Sequence, residues 1–270
     1  MQQTLRTYHK NTKQYDLYKT QHETQSYQYV INKKKHYEDK IAVSTDYQTV
    51  AHVLSQMSLF VDDSDLDLPD TPNLVHAYQT AERIRKDHPL NYQFQVCGLI
   101  HDIGKILYQY NEPQWNVVGD TYVVGCEFPK SIVYYDTTFK NNPDIRDPIL
   151  NSKYGIYKKH TGLSNLTLSF GHDEYLYMVL NDSKNNQLHN FSQKYMDMIR
   201  YHSFYPWHTS NEYTHLTKPE DVETLENVRN LNKYDLYSKE DSLIDISTEP
   251  TIKKYYDKLL NIYFPKSLCW

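Results

Sequence analysis

Apolar residues recur along this chain mainly three and four positions apart, the period of helices with one buried face. The densest stretch runs from Val96 to near Leu107, where Leu99, Ile103, Ile106 and Leu107 share a face. It predicts one core helix over about 96–109. Val50, Val53, Leu54 and Met57 predict another helix between Ser44 and Phe60, with Ser44-Thr45-Asp46 as candidate caps. A helix from Leu74 to Asp87 is opened by Asn73 after Pro72 and closed by Pro89. Further helices are expected over 166–180, 192–204, 222–237 and 252–263, the last stopped by Pro265. Residues 1–40 are polar, and Tyr15, Tyr18, His22 and Tyr29 outline a long amphipathic helix lying on the domain surface. Between Val61 and Pro72, five aspartates and two prolines mark a loop. The β-branched pairs around Gly119-Asp120 predict a short hairpin or two extended segments, and residues 136–163 read mostly as loop. Helices outnumber strands and no linker divides the chain. The expectation is a single all-α domain over 1–270, with 1–40 as a helical cover and one minor β-hairpin.

Composition narrows the partners. The formal charge is −5 and no basic block exceeds Lys33-Lys34-Lys35, so nucleic-acid binding has no electrostatic support. Cys97, Cys126 and Cys269 are odd in number and scattered, which points to a reducing compartment and away from a thiolate metal site. The polar start has no apolar signal core, and no run of ~18 apolar residues occurs. A cytoplasmic protein with no membrane association follows, and no protein partner is inferred. In that setting the triplets beginning at Asn165, Asn181 and Asn190 carry no glycan. The 27 tyrosines are spread through the chain and read as residue bias rather than as a stacking surface.

Candidate chemistry comes from polar residues on apolar faces. Asp102 falls on the face of Leu99 and Ile106, and a carboxylate in hydrocarbon is expensive unless paired or bound to metal. His101 is its neighbour, and Lys105 lies one turn past His101. His172 takes a core position beside Leu168, Leu176 and Val179; His202 does so beside Tyr195, Met198 and Ile199; Asp235 follows Val228 and Leu231. One buried histidine is usually a hydrogen-bonded core residue. Aspartates and histidines turned inward from separate helices point instead to a shared cation. Counting His76, His101, Asp102, His172, His202 and Asp235 gives six candidate ligands, enough for two ions if one carboxylate bridges. Imidazole and carboxylate without thiolate suit iron, manganese or zinc. Two-metal sites of this type serve phosphate-ester hydrolysis or oxygen chemistry, and the residues alone leave both open.

The series His76…His101-Asp102…Asp235 resembles the metal core of the HD-domain superfamily, an all-α fold of mostly phosphohydrolases. The surrounding motifs are more specific. His-Ala-Tyr-Gln-Thr-Ala-Glu (76–82), Gly-Leu-Ile-His-Asp-Ile-Gly-Lys (98–105) and Glu-Pro-Gln-Trp-Asn-Val-Val-Gly-Asp-Thr (112–121) are similar to the myo-inositol oxygenase family. So are Ser-Phe-Gly-His-Asp-Glu-Tyr (169–175), His-Ser-Phe-Tyr-Pro-Trp-His (202–208) and Asn-Lys-Tyr-Asp-Leu-Tyr (232–237), and the likeness runs in order from about Arg6 to the Cys269-Trp270 tail.

The resemblance implies an HD-domain-like bundle around a mixed-valent iron(II)/iron(III) pair. Its activity would be ring-cleaving, four-electron oxidation of myo-inositol with O2 as co-substrate, giving D-glucuronate. By carry-over, His76, His101 and Asp235 would hold one iron, His172 and His202 the other, and Asp102 would bridge them. Lys105 would hydrogen-bond the reacting hydroxyl or help deprotonate it. Arg6, Asp62, Asp65, Gly119, Asp120, Ser203 and Lys239 match the family's polyol contacts. His208, six residues past His202, is counted with the substrate-binding residues and expected to support that ligand from behind.

Two departures are visible: the acidic loop is one residue longer, at Leu68-Pro69-Asp70, and an Asn/Ser-rich insertion at 181–192 predicts a longer surface loop. The competing reading is an HD-type metal-dependent phosphohydrolase, against which stands the scarcity of cations in the motifs beyond Lys105 and Arg6. A catalytically silent tyrosine-rich interaction module is a third, and the presence of all six candidate ligands argues against it.

Overall fold

The chain packs five site-bearing helices together, with the helical residues 27–43 and 250–263 lying against them. The computed structural model describes residues 12–64, 70–237 and 249–270, so Arg6, Asp65 and Lys239 lie outside the described residues. Helices α1 (Lys13–Thr24) and α2 (Tyr27–Val43) lead into strand β1 (Tyr47–Gln48) and helix α3 (Val50–Gln56). Helices α4 (Asn73–Asp87) and α5 (Tyr92–Ile100) follow, then a 3-10 helix, Ile103–Tyr110. After the short α6 (Tyr135–Thr138) come α7 (His172–Asn181), α8 (Gln193–Tyr201), the one-turn α9 (Tyr205–His208), α10 (Asp221–Tyr237), α11 (Pro250–Tyr263) and strand β2 (Leu268–Cys269). α4 packs on α5, α5 and α10 on α8, and α8 on α7. The largest apolar cluster joins Ala81 and Ile84 of α4, Leu99 and Ile100 of α5, Leu176 and Val179 of α7, and Ile199 of α8.

Polar caps set several starts. Thr12, Ser26, Thr49 and Asn91 accept from the backbone N–H three residues on, opening α1, α2, α3 and α5. The helix expected from Ser44 therefore begins later. Ser44 instead closes α2, its N–H donating to the carbonyls of Lys40 and Ile41, and the next two polar residues lead into β1.

The polar N-terminal stretch is two helices, broken at Gln25-Ser26, and they are packed in. Tyr18, Gln21, His22 and Gln25 are buried. Gln25 bridges distant segments, its Nε2 donating to the Phe170 carbonyl at 2.8 Å while its Oε1 accepts from the Phe170 N–H at 2.6 Å. Low apolar contrast made this face look external.

The expected core helix over 96–109 ends at Ile100 and rewinds as the 3-10 helix from Ile103. Steric fit explains the break. A Cβ on Gly104 would stand 1.9 Å from the His172 carbonyl oxygen, so glycine lets the tightened turn lie against the start of α7. With i,i+3 side chains eclipsed, Lys105 meets Asp102 rather than His101.

Leu166–Phe170, expected as helix, is extended. Val123 bridges Leu168, and Ser169 N–H donates to the Tyr122 carbonyl at 2.7 Å. The extended residues near Gly119-Asp120 thus pair with this distant segment. The two-stranded antiparallel pair is β1 with β2, Tyr47 opposite Cys269. The 181–192 insertion is only partly a surface loop: buried Asn185 donates to the Val179 and Cys269 carbonyls and accepts from the Cys269 N–H, each at 2.8 Å.

Candidate metal centre

Each candidate ligand sits where a helix end or a core face delivers it. His76 lies on the inner face of α4 and Asp235 in the last turn of α10; His101 and Asp102 occupy the turn after α5. His172 opens α7 and His202 follows α8. All six are buried. The Asp102 carboxylate divides them. Its Oδ1 lies 3.1 Å from His172 Nε2 and 3.5 Å from His202 Nε2. Its Oδ2 lies 3.8 Å from His76 Nε2 and 3.7 Å from His101 Nε2. Asp235 Oδ1 joins the second group, 2.9 Å from His76 Nε2 and 3.5 Å from His101 Nε2. Two triads capable of holding a metal ion, His76–His101–Asp102 and Asp102–His172–His202, therefore share one carboxylate.

Hydrogen bonding tests whether these atoms suit a metal. The Nδ1–H of His101, His172 and His202 each faces a backbone carbonyl, of Gly98, Val117 and Ile199, at 2.7–2.8 Å. A neutral ring so oriented presents a lone pair at Nε2. Yet His172 Nε2 and His202 Nε2 are 3.2 Å apart and both face Asp102 Oδ1. His101 Nε2 is buried with no hydrogen-bond partner. Ring nitrogens and carboxylate oxygens gathered this closely call for positive charge among them, and the donor set fits divalent or trivalent metals of the iron, manganese and zinc type.

The same crowding governs titration. Burial would raise the Asp102 pKa, but Lys105 and His101 outweigh it and hold the carboxyl well below the usual range. Asp235 is held well below that range too, by His101 and His76 against burial. Burial would lower the pKa of Lys105, but Asp102 and Asp62 outweigh it and raise it. Its Nζ stands 2.8 Å from Asp102 Oδ2 and 2.8 Å from Asp62 Oδ2. Lys105 is thus held as a donor to both carboxylates. Asn73, the first residue of α4, adds a bond from Nδ2 to Asp102 Oδ2 at 3.0 Å.

A cavity of about 60 Å³ opens beside this cluster, lined by His76, Asp102, His172, His202, Asp235, Lys105, Asp62, Gly119, Asp120 and Ser203, and also by Tyr18, Ser64 and Tyr205. Its wall offers carboxylates, hydroxyls, one ammonium and backbone, a lining for a ligand rich in hydroxyl groups. Asp62 Oδ1 is fixed by the Ser64 N–H and hydroxyl at 2.8 and 2.6 Å. Asp120 Oδ1 accepts from the Tyr18 hydroxyl at 3.1 Å. Gly119 has φ +101°, and a Cβ there would meet Gln21 Oε1 at 2.8 Å, so α1 presses directly on this wall.

His208 is not among the lining residues. It stands behind His202, its Nε2–H donating to the His202 carbonyl at 2.9 Å while Thr209 Oγ donates to its Nδ1 at 3.0 Å. Burial pushes its pKa down to about 4, so it is neutral. Sequence reasoning missed Tyr18, Ser64 and Tyr205. Ser64 sits between Asp62 and Asp65, and Tyr205 two residues past Ser203, so proximity was a usable signal for both. For Tyr18, one tyrosine among 27, there was none. No helix among the described residues is long and apolar enough to cross a membrane.

Comparison with known proteins agrees with this geometry. Residues 11–270 match the family model described as Myo-inositol oxygenase. The chain is 42% identical to the inositol oxygenase of Danio rerio over 256 residues, which cover 95% of this chain and 88% of the relative. It is 41% identical to the inositol oxygenase of Homo sapiens over 253 residues, 94% of this chain and 85% of the relative. It is 42% identical to that of Dictyostelium discoideum over 261 residues, again 94% and 85%.

Proposed function

Because this chain belongs to the myo-inositol oxygenase family, we propose that it oxidises myo-inositol with O2 to D-glucuronate at a non-haem di-iron centre. The observation that carries the reading is the divided Asp102 carboxylate, one oxygen toward His172 and His202 and the other toward His76 and His101. In this reading His76, His101 and Asp235 hold one iron, His172 and His202 the other, and Asp102 bridges a mixed-valent iron(II)/iron(III) pair. Bound iron supplies the one-electron chemistry through which ground-state O2 reacts with a closed-shell polyol.

The protein's own residues bind and orient the substrate. An ammonium has three donors. Lys105 commits two of them to Asp102 and Asp62, and in this reading the third meets the reacting hydroxyl. Asp120, Ser203 and the Gly119 backbone line the same cavity and supply acceptors and donors for the remaining hydroxyls. Asp62 contacts substrate from the acidic loop, and Arg6, Asp65 and Lys239 complete the contacts from outside the described residues. His208 supports the His202 backbone. The four-electron balance is closed by O2: one oxygen atom enters the uronate and the other leaves as water. A cytoplasmic location belongs to the same reading, supported by the three buried, free cysteines.

The cavity also bears on the phosphohydrolase alternative. Lys105 is the sole lysine or arginine among its described lining residues, and two carboxylates already hold it. A phosphate there would face the carboxylates of Asp62 and Asp120 with no second lysine or arginine among the described lining residues, leaving its charge to the metal ions alone. The test is iron-loaded protein with myo-inositol and reductant, in air and without it. Uronate is expected in air alone. Absence of uronate in air, with phosphate released from nucleotides, would overturn the proposal.

A further inference from the structure

We propose that the ion triad Lys34–Glu174–Arg200, whose last two members are buried, is a positioning device for one half of the metal centre, the pair His172 and His202. The proposal rests on the two-ion reading above. Glu174 stands on α7 two residues after His172, and Arg200 on α8 two residues before His202. Arg200 Nε donates to Glu174 Oε2 at 2.8 Å and its Nη2 to Oε1 at 3.1 Å, a two-pronged pairing that fixes angle as well as distance. Lys34 Nζ reaches the same Oε1 from α2. Arg200 is itself immobilised, its guanidinium 4.4 Å from the Tyr177 ring centre and its Nη1 donating to the Tyr201 hydroxyl at 3.2 Å.

Stability alone is a weak reason for this arrangement. Glu174 is 1% and Arg200 6% exposed, and apolar side chains of similar volume commonly serve a core as well as or better than buried ions. What a two-pronged bond adds is register between α7 and α8, within one turn of the two ligands. The rest of the surroundings points the same way. Val117 O accepts both the His172 N–H, at 2.9 Å, and its Nδ1–H, at 2.7 Å. That segment is tied through Asn116 Nδ2 to Glu112 Oε2 at 2.6 Å, and Lys33 Nζ meets Glu112 Oε1 at 3.0 Å.

Two members of the Lys33-Lys34-Lys35 run therefore reach inward from α2, and both brace the His172 side. Lys35 instead pairs with Asp39 on the exposed face. His76, His101 and Asp235 come from α4, the end of α5 and α10, which carry no member of the triad. The bracing is one-sided, so its loss weakens one ion and spares the other.

The test is anaerobic titration of the metal-free full chain with Fe(II), read by calorimetry and by iron content. Wild type takes up two ions. Lys34→Met, at the most exposed member of the triad, weakens one of them about tenfold or more, the scale of losses around metal-binding histidines, and leaves the other within about twofold. Lys34→Arg restores the wild-type titration. Glu174→Gln weakens the same ion at least as far. In a His202→Ala background, Lys34→Met leaves the remaining ion unchanged. Equal weakening of both ions, or no change in either, in Lys34→Met protein with wild-type circular dichroism overturns the positioning role. A wild type that takes up a single ion overturns the two-ion reading instead, and this proposal with it.

Discussion

Asp102 concentrates the residue-scale consequences. It receives Lys105 and Asn73 on Oδ2 and faces four imidazoles with its two oxygens. Replacing it by alanine removes the one atom pair common to both triads, so Asp102→Ala is expected to lose both irons while keeping its helical circular dichroism. Iron content per chain measures this, and retention of two ions refutes the bridging role. Asp102, His172, His202 and Asp235 could be picked out from sequence because each interrupts an apolar stripe, where a polar side chain needs a reason; His101 came in as the neighbour of Asp102, and His76 only by being counted with them. The cavity's other walls had no such contrast. Tyr18 is amphipathic and reads alike on a buried or an exposed face, and Asp62 reads as loop charge until Lys105 is seen against it.

At the scale of elements, the turn between α5 and the following 3-10 helix does most to shape the site. Gly104→Ala would drive a methyl group into the His172 carbonyl, where a Cβ has 1.9 Å of room. Overpacking of this kind costs about 1–3 kcal/mol, and roughly 2–4 °C of melting temperature per kcal/mol applies to a chain of this size class. A drop of several degrees is expected, with weakened iron binding, since Asp102 and His172 must move apart; a scan of melting temperature with and without iron checks both. The break itself was hidden in the sequence. Leu99, Ile103, Ile106 and Leu107 keep helical spacing through it, and spacing of three or four does not separate an α-helix from a tighter one. α4, α8, α10 and α11 fell close to expectation, and prolines mark two of their ends, Pro72 before α4 and Pro265 after α11. Leu166–Phe170 misled because its partner, Tyr122–Val124, lies more than forty residues away.

For the whole molecule, one source of acid sensitivity is a buried histidine outside the ligand set. His22 Nδ1 is 2.7 Å from Thr138 Oγ, whose own proton goes to the Tyr134 carbonyl, so the ring donates there and its buried Nε2 has no partner. It stacks on Phe139, lies tilted against Tyr18 and meets Tyr122 edge-on, with no carboxylate among these neighbours. Burial pushes its pKa down to about 3, from 6.5 in the unfolded chain. The folded state therefore refuses a proton that the unfolded state accepts. This contribution to stability is complete above pH 6.5 and is lost as pH falls toward 3, at roughly 1.4 kcal/mol per pH unit. His22→Gln is expected to flatten the fall in unfolding free energy between pH 6.5 and 4.5, measured by urea denaturation. Parallel curves for the two proteins would contradict this.

The β1–β2 pair has a consequence for how such a chain is made. Trp270 Nε1 donates to the Gln48 carbonyl from 222 residues away, and Leu268, Cys269 and Trp270 are all buried. A ribosome adds about 5–20 residues per second, so β1 waits roughly 10–45 s for its partner to be synthesised. Throughout that interval the edge of β1 and the apolar surface beneath it are open to whatever else the cell offers, until Leu268, Cys269 and Trp270 arrive to cover them.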